Sequence, residues 1–146
     1  MVILFAVTLV PSVGGCASSA LTPREACLLV EASPSVNLYD GQAHALNLIL
    51  YPLTGPTGFE QASVEDLVTE RGVDGMAGPP ISVMISPGEV REVREVFPAT
   101  TIYLGIVADY YQAGETPGNR RALIEAKCSM FSSSTIILAA RDLLVD

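Results

Sequence analysis

Few side chains of this 146-residue chain are suited to reaction: a single histidine, three cysteines and sixteen carboxylates, with no tryptophan. His44 opens an alternating stretch, and any Ser-His-Asp or Cys-His site would have to be built on it. A lone histidine at the start of a strand reads as a packing or capping residue, not a base. The carboxylate pairs Glu65 with Asp66 and Glu92 with Glu95 fall on solvated faces. Gly72, Gly75 and Gly78 punctuate one loop, but no strand precedes them and no Lys-Ser follows, so they do not form a phosphate cradle. Tyr110 and Tyr111 could stack on a sugar ring or pack at the edge of a sandwich. Cys27 and Cys128 each lack a second cysteine at metal-ligand spacing, which leaves zinc unsupported. The expectation is a chain that is not an enzyme, with no cofactor, no metal and no small-molecule substrate.

Charge narrows the partners. Sixteen acidic side chains face eight basic ones, a formal charge of −8, and none of them precedes Arg24. Binding to nucleic acid needs clustered Lys and Arg to displace counterions from phosphates. Arg91 with Arg94 and Arg120 with Arg121 are flanked by carboxylates or turn residues, so nucleic acid is not expected as a partner. The same acidity opposes electrostatic adhesion to anionic lipid, and any membrane attachment must be covalent or hydrophobic.

The amino terminus offers such an attachment. Residues 2–10 are an apolar run ending at Pro11, too short for the roughly 20 residues of a membrane-spanning helix. Small residues and then Cys16 follow, and Val13-Gly14-Gly15-Cys16 is similar to a lipobox, where a bacterial signal peptidase cuts before an acylated cysteine. The expected organisation is a signal peptide over 1–15, a lipidated tether over 16–24 and a folded domain over 25–146. Acyl chains contribute about 0.8 kcal/mol per buried methylene, so lipidation at Cys16 would anchor the chain stably. Ala17 stands where an aspartate would signal inner-membrane retention, which points to the outer membrane. The other reading makes residues 2–10 a buried first strand and Cys16 an ordinary thiol.

With Cys16 assigned to lipid, Cys27 and Cys128 remain as an even pair in an oxidising compartment. They either bridge or stay as two small buried hydrophobes.

Turn residues recur roughly every ten positions, and the intervals read as strands. Residues 25–32 carry the apolar run Cys27-Leu28-Leu29-Val30; Asp40-Gly41 is a tight-turn signal. From His44 to Leu53, Leu46, Leu48 and Leu50 face one way, while Asn47, Ile49 and Tyr51 face the other. Residues 59–71 are the one helix candidate; Ser63 stands three positions before Asp66 at capping spacing, which offers a second start for the helix there, and Gly72 is its stop. Strands are expected from Ile81 to Ile85, from Glu89 to Phe97 (a half-exposed edge), from Thr101 to Tyr111, from Arg121 to Cys128, and lastly from Ile136. Turns are expected at 114–118 and 132–135. Many short strands with one inserted helix make the chain mainly β, a sandwich of about 7–8 strands.

The pieces in this order resemble one family, the type VI secretion lipoprotein TssJ. The resemblance rests on the lipobox, Val36-Asn37-Leu38-Tyr39-Asp40-Gly41, His44, Leu50-Tyr51-Pro52-Leu53, Phe59, Ser86-Pro87-Gly88-Glu89, and the strand Tyr103-Leu104-Gly105-Ile106-Val107-Ala108-Asp109-Tyr110-Tyr111. It implies a transthyretin-like sandwich, anchored by lipid on Cys16 to the periplasmic face of the outer membrane. It also implies a partner, the periplasmic domain of the inner-membrane protein TssM, held largely by the loop between the first two strands. That loop is residues 35–43 here, with Asn37, Leu38, Tyr39 and Asp40 as the expected contacts. A periplasmic lipoprotein that binds some other ligand or inhibitor is the alternative, using Tyr110 and Tyr111.

Overall fold

The alternation of short apolar strands with Gly- and Pro-rich turns folds into two stacked four-stranded sheets. The computed structural model describes residues 21–111, 118–129 and 134–146. The expected signal segment, Cys16 and most of the tether lie outside them, as do most of the expected turn at 114–118 and the start of that at 132–135.

Eight strands run in the order β1 (Arg24–Ala32), β2 (Leu46–Leu53), β3 (Ile81–Ile85), β4 (Val90–Phe97), β5 (Tyr103–Asp109), β6 (Arg121–Glu125), β7 (Ser134–Leu138) and β8 (Leu143–Val145). One sheet is ordered β4-β1-β7-β8 and the other β3-β2-β5-β6. All pairs are antiparallel except β1 with β7, where Leu28 to Ala32 run alongside Ser134 to Leu138. The fold is the transthyretin-like, mainly-β sandwich that the resemblance implies.

The period of two in each strand decides what lies between the sheets. Leu46, Leu48 and Leu50 of β2 meet Leu28, Val30, Leu104, Ile106, Ile136 and Leu138 in one fully buried cluster. The opposite face of β2 is also buried: Ile49, Tyr51 and Leu53 lie with Val107 beneath Phe59 and Leu67. A strand apolar on both faces needs a second cover, and helices α1 (Thr57–Gln61) and α2 (Val64–Val68) supply it.

The helical segment differs from the single helix expected over 59–71. Ala62 is extended (φ −65°, ψ 148°) and ends α1, and extended Ser63 starts α2. The Ser63 hydroxyl accepts the amide of Asp66 at 3.1 Å, as its spacing predicted. The break lets Phe59 and Leu67 both point down onto the sheet from helices of only five residues each. α2 stops before Gly72: Glu70 takes a left-handed conformation (φ 57°), and Arg71 N–H donates back to Asp66 O. The Tyr51 hydroxyl donates to Leu67 O at 2.6 Å, fastening α2 to β2. Burial, aided by the charge of Glu70, pushes this phenol up to about 12.

Two further boundaries depart from the sequence reading. The strand expected over 121–128 ends at Glu125, so Cys128 follows it in irregular chain. The last strand divides into β7 and β8 at a turn where Ala139 N–H donates to Asp142 O. β4 is an edge strand, as its mixed valine and charge pattern predicts. Among the described residues no helix is long and apolar enough to cross a membrane.

Candidate functional site

Strand directions gather four sets of residues at one end of the sandwich: 33–45, 86–89, 110–111 with 118–120, and 139–142. The chain enters β1 at Arg24, at the other end, about 30 Å away along nine strand residues.

The connection 33–45 is held from several sides. Val36 is fully buried in the main core. Ser33 N–H donates to Leu138 O, and His44 N–H to Val36 O. At the tip, Tyr39 and Gln42 exchange both backbone hydrogen bonds at 3.0 Å across Asp40 and Gly41. Both central residues have positive φ, 52° and 73°, the requirement of a type I′ turn and the reason for the Asp-Gly pair. Asp40 is exposed there.

The four residues expected to contact a partner have different surroundings. Asn37 is buried and left-handed (φ 49°); its amide donates to Ala45 O at 3.0 Å, and its carbonyl accepts Tyr111 N–H at 2.8 Å. It braces the loop from within. Leu38 is half-buried, its N–H directed to Ala140 O. Tyr39 is half-buried, stacked on His44 with ring centroids 3.6 Å apart and planes 11° apart, and it also meets Tyr111 at 4.4 Å. His44 Nε2 is buried without a hydrogen-bond partner. Replacing Asn37 with alanine should cost about 2 kcal/mol, because two hydrogen bonds of a buried amide are lost. Chemical denaturation would read this as a lowered midpoint with an unchanged slope.

Tyr111 and His44 are the members of this cluster that the sequence reading did not join to the loop. Tyr110 and Tyr111 do not act as a pair. Tyr110 is 3% exposed and donates its hydroxyl to Ala139 O and Asp142 O, whereas Tyr111 is 57% exposed. Burial raises the Tyr110 phenol, with Asp142 adding to the effect. The period of two in a strand is the signal that separates them.

Beyond this end, Cys27 and Cys128 form a disulfide with Cα atoms 4.7 Å apart. Glu25 lies within 4.8 Å of both sulfurs, but the bridge leaves no thiolate to ligate a metal, and the carboxylate pairs with Arg94 at 2.9 Å.

No family model matches the sequence, and no curated protein matches it either. Solved structures do. The chain is similar to Serratia marcescens Lip, a membrane-bound component of the type VI secretion system, at TM-score 0.70 and 14% identity, over 86% of this chain and 97% of that one. It is similar to the type VI lipoprotein TssJ1 from Pseudomonas aeruginosa at TM-score 0.69 and 24% identity, over 86% and 96%. A chain in the structure of the T6SS protein TssM C-terminal domain (869–1107) from EAEC matches at TM-score 0.71 and 16% identity, over 84% and 98%. At these identities the likeness is one of architecture: this chain has the β-sandwich fold of the type VI secretion lipoproteins.

Proposed function

We propose that this chain is a TssJ-type scaffold lipoprotein of a type VI secretion membrane complex, acylated at Cys16 in the outer membrane and holding the periplasmic domain of a TssM-type protein. In this reading residues 1–15 are removed, 16–24 are the tether, and the rest is the docking domain. The observation that carries it is the placement of the braced loop 33–45 at the end of the sandwich opposite Arg24. Seven residues lie between Cys16 and Arg24, so the eight backbone steps reach about 28 Å at most. A lipid on Cys16 would therefore hold the Arg24 end near the membrane and turn Tyr39 and Asp40 away from it, toward the periplasm. The fold shared with Lip and TssJ1, both described as type VI components, supports the same role. The competing ligand-binding reading relied on Tyr110 and Tyr111 together, and Tyr110 is committed to the core.

Two measurements test the proposal. Palmitate should label the wild type and not Cys16→Ser; equal incorporation would remove the anchor. Capture of the TssM-type periplasmic domain should fall about tenfold in Tyr39→Ala and several-fold in Asp40→Ala, the range of anchor residues in an interface. Wild-type capture by both variants would remove the loop from the site.

A further inference from the structure

The exposed part of this end combines aromatic faces with an open carboxylate, and that combination has a chemical preference. Tyr39 already contacts His44 and Tyr111, so its ring is fixed and adds little ordering entropy on binding. Tyr111 presents more than half its surface to solvent. Asp40 stands exposed on a turn whose backbone is closed by two hydrogen bonds. Among the neighbouring cations, Arg91 pairs with Glu89 at 3.7 Å, buried Arg120 reaches Glu65 at 3.5 Å and Asp109 at 3.7 Å, and exposed Arg141, on the turn 139–142 of the same end, is also engaged. The only lysine, Lys127, follows β6 toward the opposite end. The whole chain carries −8.

We infer that the rim formed by Tyr111, Tyr39 and Asp40 receives an arginine side chain from the docking partner, the guanidinium lying on the Tyr111 ring and pairing with the Asp40 carboxylate. A guanidinium is planar, weakly hydrated and permanently charged, so it can stack on a phenol ring and still donate to a carboxylate at its edge. A lysine ammonium pairs with the carboxylate as a point charge and gains less from the ring. The inference rests on the reading of this end as the docking site and adds the chemistry of what docks. It also brings Tyr111, from the chain following β5, into a contact otherwise assigned to residues 35–43.

The test titrates the periplasmic domain of the TssM-type protein onto the full acylated chain in vesicles. Tyr111→Leu should weaken binding about tenfold, and Tyr111→Phe should stay within about twofold of wild type, because the ring face is retained. Asp40→Asn should weaken it about fivefold, and raising salt from about 0.1 to about 1 M, where screening acts within about 3 Å, should weaken the wild type more than Asp40→Asn. Tyr111 is exposed, so each variant should melt with the wild type, and that melt is the folding control. Wild-type affinity in Tyr111→Leu overturns the inference, as does Tyr111→Phe falling as far as Tyr111→Leu, or equal salt dependence in wild type and Asp40→Asn. In all three cases the partner still binds and the docking role stands. No binding by the wild type under any condition removes the docking role and the inference together.

Discussion

Replacing both Cys27 and Cys128 with serine should lower stability by about 4 kcal/mol, the largest effect expected from any pair of conservative changes in the domain. The two cysteines are 101 residues apart, and cross-linking so long a loop removes much of the unfolded chain's freedom, worth up to about 4.7 kcal/mol in the chain-entropy model. Small domains have only about 5–15 kcal/mol in total. The position reinforces the effect. Cys27 lies on β1, the strand between β4 and β7, on the face turned away from the core residues Ala26, Leu28 and Val30, so the bridge pins the chain following β6 against the outside of the first sheet. A backbone hydrogen bond from Cys27 N–H to Lys127 O supports the same junction. Urea unfolding of the oxidised wild type, the reduced wild type and the double variant measures it. The last two should share a midpoint well below the first, and coincidence of all three would mean that the bridge contributes nothing.

The second large effect is expected at Gly105. This residue sits in β5 between β2 and β6, and the Phe59 ring from α1 lies directly on it. A Cβ added at Gly105 would stand 2.6 to 2.8 Å from three Phe59 ring carbons, closer than carbon atoms can pack. Phe59 is 1% exposed and packed with Tyr51, Leu67 and Val107, so it cannot simply swing out. Gly105→Ala should therefore cost about 2–3 kcal/mol and Gly105→Val more, from overpacking. Phe59→Ala should cost about 3–5 kcal/mol through the opposite fault, an empty site above the sheet. The double variant is diagnostic. With the ring gone, Gly105→Ala should become neutral or mildly stabilising, since glycine is a poor strand residue. Midpoints from thermal or urea melts of the four proteins give the coupling. An unchanged penalty for Gly105→Ala in the Phe59→Ala background would show that the ring is not its cause.

Gly105 also shows why one element of the resemblance is what it is. In Tyr103-Leu104-Gly105-Ile106 the glycine interrupts an otherwise strong strand sequence, and nothing within a few residues demands it. The demand comes from Phe59, more than forty positions earlier. Similarly, the alternation of Leu46, Leu48 and Leu50 announces one buried face of β2, but the apolar character of Ile49 and Tyr51 has a reason only once the helices cover it.

Local signals were legible where cause and consequence sit close together in the chain. Asp40-Gly41 makes a type I′ turn, Ser63 caps a helix start three residues on, and the mixed pattern of Val90–Phe97 marks an edge, because each depends on the backbone or solvent at those residues themselves. The mainly-β character follows from the same short-range patterning. The single helix expected over 59–71 became two because Phe59 and Leu67 must both reach the sheet, and that requirement lies in strands distant in sequence. Asn37 reads as a loop residue free to touch a partner, yet Ala45 and Tyr111 hold it inside. Tyr111 comes from a segment distant from Tyr39 and His44 and meets Tyr39 because β2 pairs with β5. Which stretches are strands and which are turns was therefore written in the chain, since backbone preference and period-two burial act locally. The parallel pairing of β1 with β7, the covering of the second sheet and the make-up of the aromatic rim were settled by folding alone. Each is a contact between segments whose order along the chain carries no trace of their meeting.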